Sequence, residues 1–130
     1  MRFELIARVI EKNETKIRVI KNVTSAEEYL GDHFPGFPVL PGVMMLETLV
    51  QAGRKLAEKQ NNKPVMPLVI KEVLNIKYGN MVKPGQTLEV EVTLKDVNET
   101  KEYQFTGVGT VDGQVAVKGK FALIELDKAE

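Results

Sequence analysis

The chain has 130 residues, which favours one domain spanning 1–130, and its 43% hydrophobic and 28% charged content is typical of a globular protein. Eighteen basic side chains balance eighteen acidic ones, so no global charge attracts nucleic acid or an anionic membrane. The absence of cysteine excludes disulfides, thiol catalysis and cysteine-ligated metal, and the single histidine, His33, excludes a multi-histidine metal site within one chain.

The N-terminal segment predicts a hairpin of two strands. Residues 3–10 alternate, which indicates a half-buried strand with Phe3, Leu5, Ala7 and Val9 on its inner side. A polar turn at 11–14 leads into a second strand at 15–23, where Ile17, Val19 and Lys21 share one side.

The same segment indicates where the protein resides. Its first eight residues are charged and alternating, unlike a signal peptide. No apolar run in the sequence is long enough to span a bilayer. We therefore expect a cytoplasmic protein that does not enter a membrane.

The most informative segment follows the second strand. Residues 24–42 form a long structured loop, and loops of that length in compact domains are usually functional. Within it, the sequence HFPGFPVLPGV at 33–43 places the only histidine before three prolines and two glycines. Histidine suits proton transfer, prolines stiffen the loop, and glycines let the backbone approach a ligand. The pattern predicts a base delivered to the start of a helix, just before the carboxylate of Glu47.

A helix is predicted to begin near Pro41 and to run for about 16–18 residues, because proline is tolerated at the first helical position. Its apolar arc is wide, so the helix should be largely buried. Asn61-Asn62-Lys63-Pro64 ends it. The apolar positions are Val43, Leu46, Leu49, Val50, Gly53, Leu56 and Ala57.

The rest of the chain predicts about four antiparallel strands. They are indicated at 68–78, 88–93, 103–111 and 115–126, with Val115, Val117, Phe121 and Leu123 sharing the inner pattern of the last one. Pro84-Gly85 and Asn98-Glu99-Thr100 mark turns, and Asp112-Gly113 is a strong type I′ hairpin signal. The predicted fold class is α+β, with a curved antiparallel sheet wrapped around one long central helix.

The loop also resembles a known family. The pattern HFPGxPxxPGV at 33–43, with Glu47 four residues later, is similar to the signature of the β-hydroxyacyl-acyl carrier protein dehydratases of bacterial fatty acid synthesis, which are hot-dog fold enzymes. Weaker similarity covers 82–88 and 110–113. The resemblance implies dehydration of a 3-hydroxyacyl group on the phosphopantetheine of acyl carrier protein to a trans-2-enoyl group. It implies no cofactor and no metal.

The resemblance also implies roles for individual residues. His33 would be the base that removes the C2 proton, and Glu47 would protonate the leaving hydroxyl or position a water that does so. The Gly42 amide would be the oxyanion donor, and the carbonyl at Val39 would orient the imidazole. Phe34 and Pro41 would complete the substrate-binding loop.

The resemblance further implies an obligate homodimer. In the family, the histidine comes from one protomer and the acidic residue from the other, and a trimer of dimers is common in relatives. The chain departs from the family's usual residues at Asp32, Thr48, Lys77 and Lys83, and it lacks the usual N-terminal extension. These departures leave the catalytic residues in place.

Less specific interpretations compete for these residues. A lone histidine in a loop is often a packing residue, Gly42 suits a tight turn, and a glutamate near a helix N-terminus is often solvated and stabilised by the helix dipole. On a helical wheel, Glu47 lies at the edge of the apolar stripe beside Gln51, Arg54 and Glu58. Met44, Met45 and Met66 suit either a flexible acyl tunnel or a core.

The C-terminal half of the helix is basic. Two interpretations apply: complementarity to the helix dipole, and docking of an acidic carrier protein. The residues concerned are Arg54, Lys55, Lys59 and Lys63.

Two other functions fit the predicted fold. A hot-dog thioesterase would hydrolyse the thioester and release free thiol, although the HFPG loop is not its signature. A non-catalytic acyl-binding or carrier-binding subunit would bind without turnover.

Overall fold

The structure, a computed structural model, describes residues 6, 8–23, 40, 42–61 and 68–125, with the side chains of 58–61 left out. It contains six strands and one helix within these residues. In chain order they are β1 (Arg8–Lys12), β2 (Lys16–Asn22), α1 (Gly42–Asn61), β3 (Leu68–Tyr78), β4 (Thr87–Val97), β5 (Glu102–Val111) and β6 (Gln114–Glu125).

The six strands form one antiparallel sheet in the order β1-β2-β4-β5-β6-β3. The helix packs on one face, where Leu49, Val50 and Leu56 are fully buried against the inward side chains of the strands. Glycine allows a close approach of sheet and helix: a Cβ added to Gly107 of β5 would lie 3.2 Å from the Leu49 side chain. The predicted α+β class, with a sheet around one long helix, is confirmed.

The helix is longer than predicted, at 20 residues, and it begins at Gly42 beside the predicted Pro41. Six of its seven predicted apolar positions are buried or partly buried, whereas Val43 is 65% exposed. Val43 stands in the first turn, and the core begins with Met45, which is 5% exposed. Met45 therefore serves as core, as one of the two interpretations predicted, and Met44 packs against the same cluster.

The turn signals correspond to specific backbone conformations. Asp112 and Gly113 have φ values of 50° and 78°, the two positive values that a type I′ turn requires. Gly85 has φ 92° after Pro84, and the Gln86 amide donates to the Lys83 carbonyl at 3.0 Å, as in a type II turn. Local sequence therefore determines where the chain reverses between β3 and β4 and between β5 and β6.

Two strand positions that were predicted to face inward are exposed. Val115 is 39% exposed, because the register of β5 and β6 shifts next to it and places the following Ala116 and Val117 inside. Val9 pairs with the buried Val19 and so is on the predicted inner face, but it is 41% exposed on β1, an edge strand of the sheet. Phe3, Leu5 and Ala7 lie outside the described residues. Ile17, Val19 and Lys21 are buried as predicted.

A polar contact ties the edge strand β3 to β5. Lys71 donates a hydrogen bond to Glu102, whose side chain is 7% exposed, and Gln104 donates to the other oxygen of that carboxylate at 3.1 Å. The Lys71 hydrogen bond and then that of Gln104 hold the pKa of Glu102 below its ordinary 4.5. The same contact with Glu102 raises the pKa of Lys71 above 10.5.

This pair predicts a pH-dependent stability. Because the folded pKa of Glu102 is lowered, its stabilising contribution is present above pH 4.5 and is lost as the pH falls through the folded value. Glu102→Gln should therefore lower the urea midpoint near neutral pH, with the difference from wild type shrinking in acid. Glu99→Gln, in the exposed turn before β5, is the control. A difference that stays constant from neutral to acid pH would contradict the prediction.

Candidate active site

The candidate site lies where the first half of α1 faces the edge strand β3. The two elements run in opposite directions: Gly42 at the start of the helix meets Tyr78 at the end of β3, and Arg54 meets Leu68 at its beginning. Glu47 lies between these contacts, with its side chain 37% exposed. The helix therefore presents the predicted acidic residue toward the open edge of the sheet.

Only part of the predicted site lies within the described residues. Gly42, Glu47, Arg54 and Lys55 are described, together with the backbone of Lys59. The other predicted site residues lie outside them: His33, Phe34, Val39, Pro41 and Lys63. Their roles in the site stay predictions.

Gly42 is in close contact with an aromatic ring. A Cβ built on it would lie 3.0 Å from Cε1 and 3.1 Å from Cζ of Tyr78. These contacts would be tight, although Tyr78 as a whole is 51% exposed. Glycine thus lets the end of β3 cover the first turn of the helix. At that turn, backbone N–H groups have no intrahelical partner and the helix dipole is positive.

The surroundings of the first turn are apolar and partly open. Val43, Tyr78 and Met81 are each more than half exposed, although all three are large hydrophobic residues. The adjacent chain is anchored by the buried Leu40, whose amide donates to the Val82 carbonyl at 2.7 Å. An apolar surface beside free helix amides suits a ligand that joins a polar group to a hydrocarbon chain.

Glu47 has a cationic neighbour within the same helix. Its Oε1 lies 3.4 Å from Nη1 of Arg54, seven residues further along. The Nε of Arg54 donates to the Leu68 carbonyl of β3 at 2.9 Å, and the Arg54 side chain is 25% exposed. The helical wheel placed Arg54 near Glu47, but it gave no sign of the bond to β3.

The departure at Thr48 has a local explanation. Thr48 is fully buried, and its hydroxyl donates to the Met44 carbonyl at 2.8 Å. A buried hydroxyl bonded to the preceding helical turn carries no unsatisfied polar group. Threonine therefore fits next to the acidic residue without disturbing the helix.

Two kinds of site find no support in the described part of the chain. No group of three or more His, Cys, Asp or Glu side chains in it is placed to hold a metal ion. No helix in it has the length and apolar character needed to cross a membrane.

A cavity of about 450 Å³ is separate from the candidate site. It is lined by strand residues, including Lys77, Lys118 and Lys120, and by none from α1.

Comparisons with known proteins identify the family. A family model described as ApeI-like, ApeI dehydratase, matches residues 9–120. The 3-hydroxyacyl-[acyl-carrier-protein] dehydratase FabZ of Rickettsia massiliae is 36% identical, with 98% of this chain and 88% of the relative covered. FabZ of Rickettsia bellii is 35% identical with the same coverage.

Solved structures share the fold at lower identity. The dehydratase heterocomplex ApeI:P from Xenorhabdus doucetiae superposes with a TM-score of 0.77 and 17% identity, covering 94% of this chain and 82% of that one. The smu.793 protein of Streptococcus mutans, bound to acetyl CoA, gives a TM-score of 0.75 and 17% identity, covering 96% and 91%. At these identities the likeness establishes the fold alone.

Fold and relatives together define a dehydratase of the hot-dog class. The chain belongs to the ApeI-like dehydratase family and is a relative of the FabZ 3-hydroxyacyl-[acyl-carrier-protein] dehydratases. The resemblance inferred from the loop at 33–43 is thereby confirmed, as is the predicted class of enzyme.

Proposed function

We propose that the protein converts 3-hydroxyacyl groups on acyl carrier protein to trans-2-enoyl groups, as a homodimer in which each active site combines His33 of one protomer with Glu47 of the other. The observation that supports this most directly is the position of Glu47. Its side chain is partly exposed on α1 beside the edge strand β3, about one and a half turns beyond the glycine that opens the helix.

Each proposed residue has one chemical task. The His33 imidazole takes the C2 proton, and the electron pair shifts toward the thioester carbonyl, whose oxygen is stabilised by the Gly42 amide. The C3–O bond then breaks, and the hydroxyl leaves as water with a proton from Glu47 or from a water that Glu47 holds. The apolar surface of Val43, Tyr78 and Met81 suits the acyl chain.

The exposed edge of β3 supports the proposed dimer. In the described sheet, β3 pairs with β6 and no other strand. An edge strand offers unpaired backbone groups, and β3 also exposes Ile70, Leu74 and Tyr78. A second copy that joins its sheet at this edge would lie beside Glu47. The loop of that copy would then supply His33.

Carrier docking at the basic half of α1 remains part of the proposal, with a narrower set of residues. Of the two basic side chains described on this half of the helix, Arg54 contacts Glu47 and Leu68, so Lys55 is the better candidate for binding a carrier. An acidic carrier bound through Lys55 and its neighbours should bind less tightly as salt increases.

The test is a product assay on a 3-hydroxyacyl-acyl carrier protein. Enoyl formation is followed by ultraviolet absorbance, and free thiol is measured in parallel. Enoyl product without thiol supports the proposal. Thiol without enoyl product would indicate a thioesterase, and binding without either product would indicate a non-catalytic subunit; both results would overturn it.

Gly42→Ala should separate activity from stability. The nearest atoms to the added Cβ belong to the half-exposed ring of Tyr78, so the free energy of unfolding should change by less than about 1 kcal/mol. In the proposed site the same methyl group displaces the thioester, and a misplacement near 1 Å can cost about 10²-fold in rate. Enoyl-product kinetics and urea unfolding measure the two effects.

The double variant Gly42→Ala/Tyr78→Ala identifies which contact matters. It removes the ring that the new Cβ would meet, and it is compared with Tyr78→Ala alone because Tyr78 belongs to the proposed acyl surface. Equal activity in these two variants would mean that a displaced Tyr78 caused the loss in Gly42→Ala. We expect the double variant to be about 10²-fold slower than Tyr78→Ala. Full activity in Gly42→Ala alone would contradict the role of the glycine.

A further inference from the structure

Arg54 is anchored on two sides. Its Nε donates to the Leu68 carbonyl at 2.9 Å, and its Nη1 lies 3.4 Å from Oε1 of Glu47. The guanidinium group is planar, with its donors in a fixed fork. Because the bond to the β3 backbone sets the position of Nε, it also sets the direction of Nη1. The contact with Glu47 is thus built on the sheet as well as on the helix.

The helix geometry favours this contact. A separation of seven residues is close to two full turns, so the two side chains lie on the same face. Side chains of a helix tilt toward its N-terminus, and the long Arg54 side chain therefore extends back toward Glu47. Gln51, on the same face between them, is 9% exposed, so this part of the face is largely covered.

The two earlier interpretations of Arg54 do not account for this arrangement. The helix ends at Asn61, and Arg54 stands seven residues before that end, whereas dipole effects fall off within the last turn. A cation used for docking a carrier should be directed to solvent, yet the Arg54 side chain is 25% exposed and less exposed than Glu47 at 37%. Its donors are directed to a backbone carbonyl and a carboxylate of its own chain.

We propose that Arg54 is a positioning residue that holds the Glu47 carboxylate in its productive orientation; this rests on the proposed role of Glu47. Arg54 engages Oε1 and leaves Oε2 for the leaving hydroxyl or for the water that protonates it. The proposal assigns the strand β3 a part in catalysis, since its first carbonyl fixes the guanidinium.

The test compares turnover in Arg54→Met, Arg54→Lys, Glu47→Gln and the double variant Glu47→Gln/Arg54→Met. Arg54→Met keeps the apolar stem and should lower kcat about 10-fold to 10²-fold, with KM within about 2-fold of wild type. Arg54→Lys should recover part of this loss, because an ammonium can reach one partner but lacks the fork that engages both. In the Glu47→Gln background, Arg54→Met should change kcat less than about 2-fold.

Arg18→Met is the matched control. Arg18 is also a partly exposed arginine in ion pairs, with Glu11 at 3.6 Å and with Glu89. It stands on β2 between the fully buried Ile17 and Val19, so its side chain is on the face of the sheet opposite α1. Its removal should leave kcat unchanged. An equal fall of kcat in Arg18→Met and Arg54→Met would overturn the proposal.

Other outcomes separate this proposal from the function itself. A raised KM for the carrier substrate with unchanged kcat in Arg54→Met would indicate docking and would overturn positioning. Additive effects of Arg54→Met and Glu47→Gln on kcat would do the same. If the wild-type protein forms no enoyl product, the proposed function fails. The coupling of the two residues is then tested by urea unfolding of the same proteins, where additive effects would refute the contact.

Discussion

A co-expressed mixture of His33→Ala and Glu47→Gln protomers should recover about a quarter of wild-type activity, although each variant alone should be nearly inactive. Loss of a well-placed general base costs about 10²–10⁴-fold, so either single variant should fall into that range. Co-expression with two different affinity tags yields the mixture. The rate of enoyl formation per active-site equivalent is the measurement.

The expected fraction follows from the proposed sharing of residues. Random assortment gives about half of the dimers one protomer of each kind. In such a dimer, one site combines His33 of the second protomer with Glu47 of the first and is intact, while the other site has lost both. If instead each site took both residues from one chain, no site in any mixture would be intact. Absence of recovery in purified mixed dimers would therefore contradict the shared site.

Sequence predicted the elements of this fold well because their signals are local. The helix from Gly42, the type I′ turn at Asp112-Gly113 and the turn at Pro84-Gly85 each depend on residues that are neighbours in the chain. The chain reverses at these positions, which establishes an antiparallel sheet with one helix. Composition and periodicity then suffice for the fold class.

The error in the last strand has a different cause. An alternating pattern predicts an inward side only while the register is constant, and a bulge changes the side for every later residue. Val115 is exposed because β6 carries an extra residue opposite β5. In β3, shifts between Ile70 and Glu72 and between Leu74 and Lys77 leave a strand with no simple alternation. Bulges depend on the partner strand, which sequence periodicity does not contain.

The residues of the candidate site also fall into two groups, those that a local motif predicts and those that only tertiary packing brings together. Gly42 and Glu47 were found from a short motif, whereas Tyr78 and the Leu68 carbonyl reach the site only through the packing of β3 on α1. The helical wheel brought Arg54 close to Glu47 and could not show what else the guanidinium binds. In the sequence, Arg54 is a basic residue two helical turns after a carboxylate. That spacing fits dipole complementarity, carrier docking or a contact with Glu47, and the position of β3 decides among them.

The helix that presents Glu47 is itself held by a stacked aromatic pair. The rings of Phe105 and Phe121 have centroids 5.0 Å apart and planes 17° apart, and both residues are 2% exposed. They lie beneath Gly53 of α1: a Cβ on Gly53 would be 2.9 Å from Phe121 and 3.6 Å from Phe105. The distance between helix and sheet at this point is therefore set by the two rings.

Phe105→Ala should cost about 3–5 kcal/mol of unfolding free energy, since it removes a buried ring and leaves a cavity under the helix. Whole domains are stable by about 5–15 kcal/mol, so the variant should be close to unfolding at 37 °C. Urea denaturation followed by circular dichroism measures the loss. Phe105→Leu, which fills much of the same volume, should cost only about 1–2 kcal/mol. An equal loss of unfolding free energy in Phe105→Ala and Phe105→Leu would contradict a rigid stack. It would mean that the surrounding side chains move to fill the cavity left by the ring.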